Sequence, residues 1–329
     1  MDTYDFELDR IIKIVKDKKY SVIGLQFPEG LKDYAAGIAD EVSKAGCEVI
    51  ISSDPCYGAC DLADEEMHEL GVDALFHFGH AEILSKTAIP VFYIEVRINI
   101  DPIPLVSKNL AKLPKKIGLV TTVQHVHFLE KVKKYLEDNG YQVHIGIGRG
   151  RTKYDGQVLG CSFIAAKSIA DQVDAFLYLG SGDFHPLGVA LATGKKTLAF
   201  DVLLREVRDI SKLKEKILKQ RYARIAKATQ AETFGIIVGS KRGQRRKKLA
   251  LEIKRKLEEK GKKAYLLYLN EITPDNLMSF RKLDALVNTA CPRIVIEDAQ
   301  RYKQPMLTPM ELEILLEERG WEDYVMDEF

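Results

Sequence analysis

The sequence lacks any run approaching the roughly 18 to 20 uninterrupted apolar residues of a membrane-spanning helix, which excludes that class. Its opening residues, Met1-Asp2-Thr3-Tyr4-Asp5, have neither the basic nor the apolar region of a signal peptide, so a cytoplasmic protein with no membrane partner is expected. It also lacks net charge: 49 Lys and Arg against 48 Asp and Glu leave +1, and no direct nucleic-acid partner is implied. Cysteine is scarce and odd in number, with five residues, so a disulfide framework in a reducing compartment is not expected. Nor do the cysteines form the two close-spaced pairs from which structural zinc sites usually draw four ligands. Burial, catalysis or metal binding remain for them.

What is present is ample apolar material: 46% of 329 residues suffices for a substantial core, and the length favours two or three domains. The basic runs Lys212 to Lys216 and Lys241 to Lys248 are local, and interleaved glutamates favour solvated helix faces over a polyanion site. An amphipathic helix is expected near Asp5 to Lys18. A first unit follows: strand Ser21 to Gln26, loop Phe27-Pro28-Glu29-Gly30, a helix ending at Gly46, and strands Glu48 to Ser52, Val72 to Gly79 and Ala88 to Glu95. The second runs through strand Lys116 to Thr121, a helix from about Gln124 to Asn139, and strands Gln142 to Gly146, Val173 to Gly180 and Lys195 to Phe200. A long charged helix, roughly Leu204 to Gln230, leads to the third, with strands Phe234 to Gly239, Ala264 to Leu269 and Leu283 to Asn288.

The units share marks. Gly24 and Gly46 lie 22 residues apart, as do Gly118 and Gly140, and the pair Gly235 and Gly261 is four residues longer. Each third strand opens with Asp-Ala: Asp73-Ala74, Asp174-Ala175, Asp284-Ala285. The expected fold is therefore α/β, three related parallel-sheet βαβ domains spanning 1–105, 106–205 and 206–329 around a central site. Glycines at the helix ends fit left-handed caps.

This register groups the cysteines. Cys60 lies 13 residues before Asp73, and Cys161 lies 13 before Asp174. Cys291 follows Asp284 by seven, where the first unit has His80 and the second Ser181. All three fall beyond carboxyl ends of parallel strands, the side on which such sheets bind ligands. Three thiols with no histidine in register suit a soft metal, with a [4Fe–4S] cluster as the natural candidate, zinc as the competitor, and three unrelated buried cysteines as the third reading. Cys47, just before a strand, reads as a small buried apolar residue, and Cys56 as a spare thiol.

Leu25-Gln26-Phe27-Pro28-Glu29-Gly30-Leu31, Asp54-Pro55-Cys56-Tyr57-Gly58-Ala59-Cys60-Asp61, Gly79-His80-Ala81-Glu82, Gly156-Gln157-Val158-Leu159-Gly160-Cys161, Gly180-Ser181-Gly182-Asp183-Phe184-His185-Pro186-Leu187-Gly188 and Ala290-Cys291-Pro292-Arg293 together resemble the archaeal diphthamide synthesis enzymes, the 2-(3-amino-3-carboxypropyl)histidine synthases. The resemblance covers nearly the whole chain. It implies a [4Fe–4S] cluster held by Cys60, Cys161 and Cys291, with S-adenosylmethionine as cosubstrate. The chemistry implied is one-electron cleavage of the bond from sulfur to the γ-carbon, with transfer of the 3-amino-3-carboxypropyl radical to C2 of a histidine in translation elongation factor 2. A homodimer and an electron donor are implied as well. The classical radical signature of three closely spaced cysteines is absent.

Loops on the ligand side supply the candidate cofactor contacts: Pro28, Glu29 and Gly30 at a helix start, Tyr57 beside the cysteine turn, His80 and His185 after strand ends, Ser181 and Gly182 in a Gly-rich turn, and Arg293 as a carboxylate partner. Each also has a structural reading: helix start, tight turn, buried histidine or surface ion pair. Gln124, His125 and His127 read as helix caps or packing. Two other classes stay open on residues alone, a non-catalytic metal or iron–sulfur scaffold and a small-molecule sensor with repeated α/β domains.

Overall fold

The structure, a computed structural model, describes residues 3–329. Strand β1 (Tyr4–Asp5) precedes a helix over Leu8–Lys18, and the first sheet is built from β2 (Val22–Gln26), β3 (Glu48–Ser52), β4 (Ala74–Phe78) and β5 (Val91–Ile94). β6 (Arg97–Ile98) turns back to pair antiparallel with β1. The second sheet uses β7 (Lys116–Thr121), β8 (Gln142–Ile145), β9 (Ala175–Leu179), β10 (Lys196–Asp201) and β11 (Glu206–Asp209), and the third β12 (Thr233–Gly239), β13 (Lys263–Leu269), β14 (Ala285–Asn288) and β15 (Met306–Leu307).

The sheet orders are β3-β2-β4-β5, β8-β7-β9-β10-β11 and β13-β12-β14-β15. Apart from β11, every pairing within them is parallel. Each sheet thus places its second strand outside its first, then its third and fourth on the other side. The third strands, β4, β9 and β14, are buried along their whole length, as near-continuous apolar strands covered on both faces must be.

The Asp-Ala mark has a physical job. The Asp73 carboxylate accepts the backbone N–H groups of Ser21 and Val22 (2.7 and 2.9 Å), and the Asp284 carboxylate those of Glu232 and Thr233 (3.1 and 2.9 Å). It ties down the start of the neighbouring first strand, where ladder donors are otherwise unpaired. The helix-closing glycines hold φ values of 92° at Gly46, 78° at Gly140 and 76° at Gly261, the left-handed caps expected of them.

Two expectations need correction. The helix read from Leu204 to Gln230 is shorter, Ser211–Ala228, and is preceded by β11 running antiparallel to β10. Arg205 takes φ 56°, which breaks a helix there, and the Asp209 carboxylate accepts the Ser211 N–H (3.0 Å) to start the new one. The second departure is at the starts of two helices: Glu29–Tyr34 and Val123–Phe128 are tighter 3₁₀ turns leading into Ala35–Ser43 and Leu129–Asp138.

The units are laced together by polar contacts. Gln124 does not merely cap its helix: its side-chain amide donates to Gly79 O in the first unit (2.6 Å). Within the third unit, buried Arg221, on the helix Ser211–Ala228, forms a two-pronged pair with buried Glu311 (2.7 Å each) and donates to the carbonyls of Val295 and Met306.

Candidate functional site

The loops beyond β3, β12 and β14 meet the Cys161 loop, and Gly243 is where they touch. Its N–H donates to Cys60 O (3.1 Å), and a Cβ added at Gly243 would stand 2.4 Å from Cys60 Cα, so only glycine permits the approach. Its carbonyl accepts from Arg151 Nη2 (2.5 Å), while Arg151 Nη1 donates to Cys161 Sγ (3.5 Å). Gln244 Nε2 donates to Cys60 Sγ (3.4 Å), and Asn288 Nδ2 to Cys291 O (2.8 Å).

The three thiols are half-buried and feel one another electrostatically. Burial pushes Cys291 up to about 12, and the neighbouring Cys60 and Cys161 add to the shift. Burial likewise pushes Cys60 up to about 11, with Cys161 adding to it and Gln244 and Arg151 opposing. A donor set of three thiols is the chemistry of an iron–sulfur cluster, with a separate iron for each thiolate, and the donors aimed at Cys60 and Cys161 are of the kind that stabilise bound thiolates.

Beside this site lies a second group. Cys56 Sγ and ring nitrogens of His77 and His80 are within 4.8 Å of one another. Gln26 Nε2 donates to Asp61 O (2.8 Å), which turns Gln26 Oε1 toward His77 Nδ1 (2.8 Å) and makes that nitrogen the donor. His77 Nε2 must then accept the proton of His80 Nδ1 (3.0 Å). Burial holds both rings neutral, His80 at about 4 and His77 well below its ordinary value, and pushes Cys56 up to about 12.

The residues singled out from the sequence divide between two cavities. Pro28, Gly30, His80, Ser181 and His185 line one of about 300 Å³ between the first and second units, together with Gln124 and buried His125, whose Nδ1 has no hydrogen-bond partner. Tyr57, Cys291 and Arg293 line the other, of about 90 Å³, with Lys241, Gln244 and Glu271. His185, in the first of these, is lowered to about 4, by burial first and then by Arg293 and His80. The Tyr57 hydroxyl donates to Glu271 (3.0 Å), with Lys241 Nζ 4.6 Å over its ring. Glu29 and Gly182 line neither cavity: Glu29 pairs with Lys32 (2.5 Å), and Gly182 offers its carbonyl to Arg208 (3.5 Å). Cys47 is buried in the first core, as expected.

Sequence reasoning missed Arg151, Gly243 and Gln244, and misread their surroundings. The run Lys241 to Lys248 is a solvated helix face only in its second half. Lys241 pairs with Asp61 (2.7 Å) and Glu271 (2.6 Å) and Arg242 with buried Asp64, so its first half fastens the third unit to the cysteine turn, while Arg246 pairs with buried Asp327 within the third unit. The glycine inside that run, Arg242-Gly243-Gln244, was the available signal.

Comparison with known proteins agrees with this geometry. The family described as "Putative diphthamide synthesis protein" matches residues 27–325. The chain is 37% identical to the 2-(3-amino-3-carboxypropyl)histidine synthase of Pyrococcus horikoshii, over 99% of this chain and 94% of that protein. It is 32% identical to subunit 1 of the Caenorhabditis elegans synthase, over 95% of this chain and 80% of that one. The crystal structure of Dph2 from Pyrococcus horikoshii with a 4Fe-4S cluster superposes with a TM-score of 0.91 at 36% identity, covering 99% of this chain and 94% of the other.

Proposed function

The chain belongs to the diphthamide synthesis family, and from that membership we propose that it is a 3-amino-3-carboxypropyl transferase acting on a histidine of translation elongation factor 2, with S-adenosylmethionine as donor. The observation that carries the reading is the meeting of three thiols, one from each sheet's ligand side, close enough to influence one another's ionisation. Cys60, Cys161 and Cys291 would hold a [4Fe–4S] cluster. When bound, such a cluster supplies the electron for cleaving the bond between sulfur and the γ-carbon of S-adenosylmethionine, leaving methylthioadenosine.

The chain's own residues bind and orient. Arg293, two residues beyond Cys291, offers a guanidinium to the methionine carboxylate, with Glu297 as its present partner. His80 and His185, held neutral by burial, present hydrogen-bonding nitrogens without adding positive charge beside a sulfonium. The cavity they share with Ser181, between the first and second units, is a place for the imidazole of the protein substrate. A second copy of the chain and an external electron donor complete the reading.

The test is anaerobic incubation with dithionite, labelled S-adenosylmethionine and elongation factor 2. Label should enter the factor while methylthioadenosine accumulates. 5′-Deoxyadenosine as the principal product would overturn the proposed cleavage.

A further inference from the structure

The segment 326–329 returns to the thiol site from far along the chain, and none of its contacts is explained by the binding roles above. Met326 and Asp327 are buried. The Phe329 N–H donates to Cys161 O (3.0 Å). Its ring lies between two guanidinium groups, with Arg151 Cζ 4.2 Å and Arg246 Cζ 4.1 Å from the ring centre. The Glu328 carboxylate accepts the Phe163 N–H (2.8 Å), two residues past Cys161, and pairs with Lys167 (2.9 Å). Arg246 pairs with Asp327 and donates to Thr289 O (2.7 Å) and Ala290 O (3.4 Å), the two carbonyls immediately before Cys291.

We propose that residues 327–329 are a strap that holds the Arg151 guanidinium against Cys161 Sγ, and so sets the reduction potential of the metal centre bound there. The inference rests on the cluster reading given above. A free arginine spends its charge in water and loses side-chain entropy when it is fixed beside a sulfur. Here the stack on Phe329 and the bond from Nη2 to Gly243 O fix two directions of the guanidinium plane, leaving Nη1 aimed at Cys161. A charged N–H donor on a ligating sulfur stabilises the reduced centre, which carries one more negative charge, and raises its potential. Phe329 touches no sulfur itself. It is a positioning residue, acting through Arg151.

The experiment is a spectroscopically monitored redox titration of the protein reconstituted anaerobically with iron and sulfide, in a double-mutant cycle of Arg151→Met and Phe329→Ala. Both single variants should move the midpoint to more negative potential, Arg151→Met by the larger amount. In the Arg151→Met background, Phe329→Ala should add nothing, because the group it positions is gone. Phe329→Trp, which keeps a flat ring for stacking, should restore the wild-type midpoint. An unchanged midpoint in Phe329→Ala, or two shifts that simply add, would overturn the strap. If Phe329→Ala takes up no cluster, recovery of uptake in Phe329→Trp supports the inference and failure to recover defeats it. A wild-type protein that takes up no cluster would bring down the cluster reading and the strap with it, an outcome distinct from a loaded protein whose midpoint ignores residue 329.

Discussion

Two groups of cysteine and histidine side chains lie side by side in this molecule, and they are built on opposite plans. Cys56, His77 and His80 come from one unit, and their nitrogens are closed into a chain that runs from His80 through His77 to Gln26 and on to Asp61 O. Every donor in that chain has an acceptor, and burial keeps both rings uncharged. Cys60, Cys161 and Cys291 come from three units and do not satisfy one another. Two of their sulfurs instead receive donors from Gln244 and Arg151. Closeness of potential ligands is therefore a poor guide to a metal centre here. The informative difference is that one group is already satisfied and the other has its donors pointed at sulfurs that carry charge only when they bind something.

The largest effect that sharpens this contrast is loss of the cluster itself. Cys60→Ala, Cys161→Ala or Cys291→Ala should each abolish or strongly reduce iron and sulfide content after anaerobic reconstitution, read by chemical analysis and visible absorption. Wild-type iron content in any one of them would remove that residue from the site. Because the three loops also contact one another through Gly243 and Arg151, thermal melting should be measured on the same samples to separate ligand loss from loosened packing.

Much of this contrast could be read from the sequence, and the reason is periodicity. The spacing from Cys60 to Asp73 repeats from Cys161 to Asp174, and the Asp-Ala mark recurs because the carboxylates of Asp73 and Asp284 grip the starts of neighbouring strands. Repeated local chemistry leaves a repeated local signature. The supporting contacts left none, because the Arg151 side chain is fixed by groups far along the chain, Gly243 O 92 residues away and the Phe329 ring farther still. β11 escaped notice because Glu206-Val207-Arg208-Asp209 is short and charged and merges with the helix that follows. Lys241 to Arg246 looked solvated because the acids that partner them are distant in sequence, Asp61 and Asp64 in the first unit and Asp327 near the far end of the third.

Acid should break the closed group next. His77, His80 and His125 have folded-state pKa values below the ordinary 6.5, with His80 and His125 at about 4. Between pH 6.5 and 4 the unfolded chain therefore binds protons that the folded one refuses. Stability rises with pH wherever the unfolded state holds more protons, so it must fall as pH drops through this window, by up to about 1.4 kcal/mol per pH unit for each histidine. Urea unfolding at pH 7, 5.5 and 4.5 on the cluster-free protein measures it. A flat profile would mean that the rings are not held neutral, and the contrast between a closed and an open group would lose its basis.

A smaller effect is expected at the point where three units touch. Gly243→Ala places a methyl group 2.4 Å from Cys60 Cα, where backbone must give way, at a cost of about 2 kcal/mol. Cluster uptake should suffer more than melting temperature does, since the displaced segment carries Cys60 and Gln244. Equal tolerance of alanine here and at Gly30, where nothing lies within 4 Å of the added carbon, would show that the contact does not constrain the cysteine turn.

The smallest effect belongs to Cys56, and it is the one best able to break the comparison. Its sulfur is buried and lies 4.0 Å from the carbonyls of Gly58 and Asp61, the weak contacts of a protonated thiol. Removing one sulfur from a site that holds no charge should cost about 1 kcal/mol, chiefly through lost packing. Iron content should stay at the wild-type level, because the Cys56 sulfur directs its proton to backbone carbonyls and receives no donor of the kind that Gln244 and Arg151 aim at Cys60 and Cys161. If Cys56→Ala instead loses iron while Cys47→Ala keeps it, the two groups are not separate, and the centre draws on four sulfurs with His77 and His80 as its border.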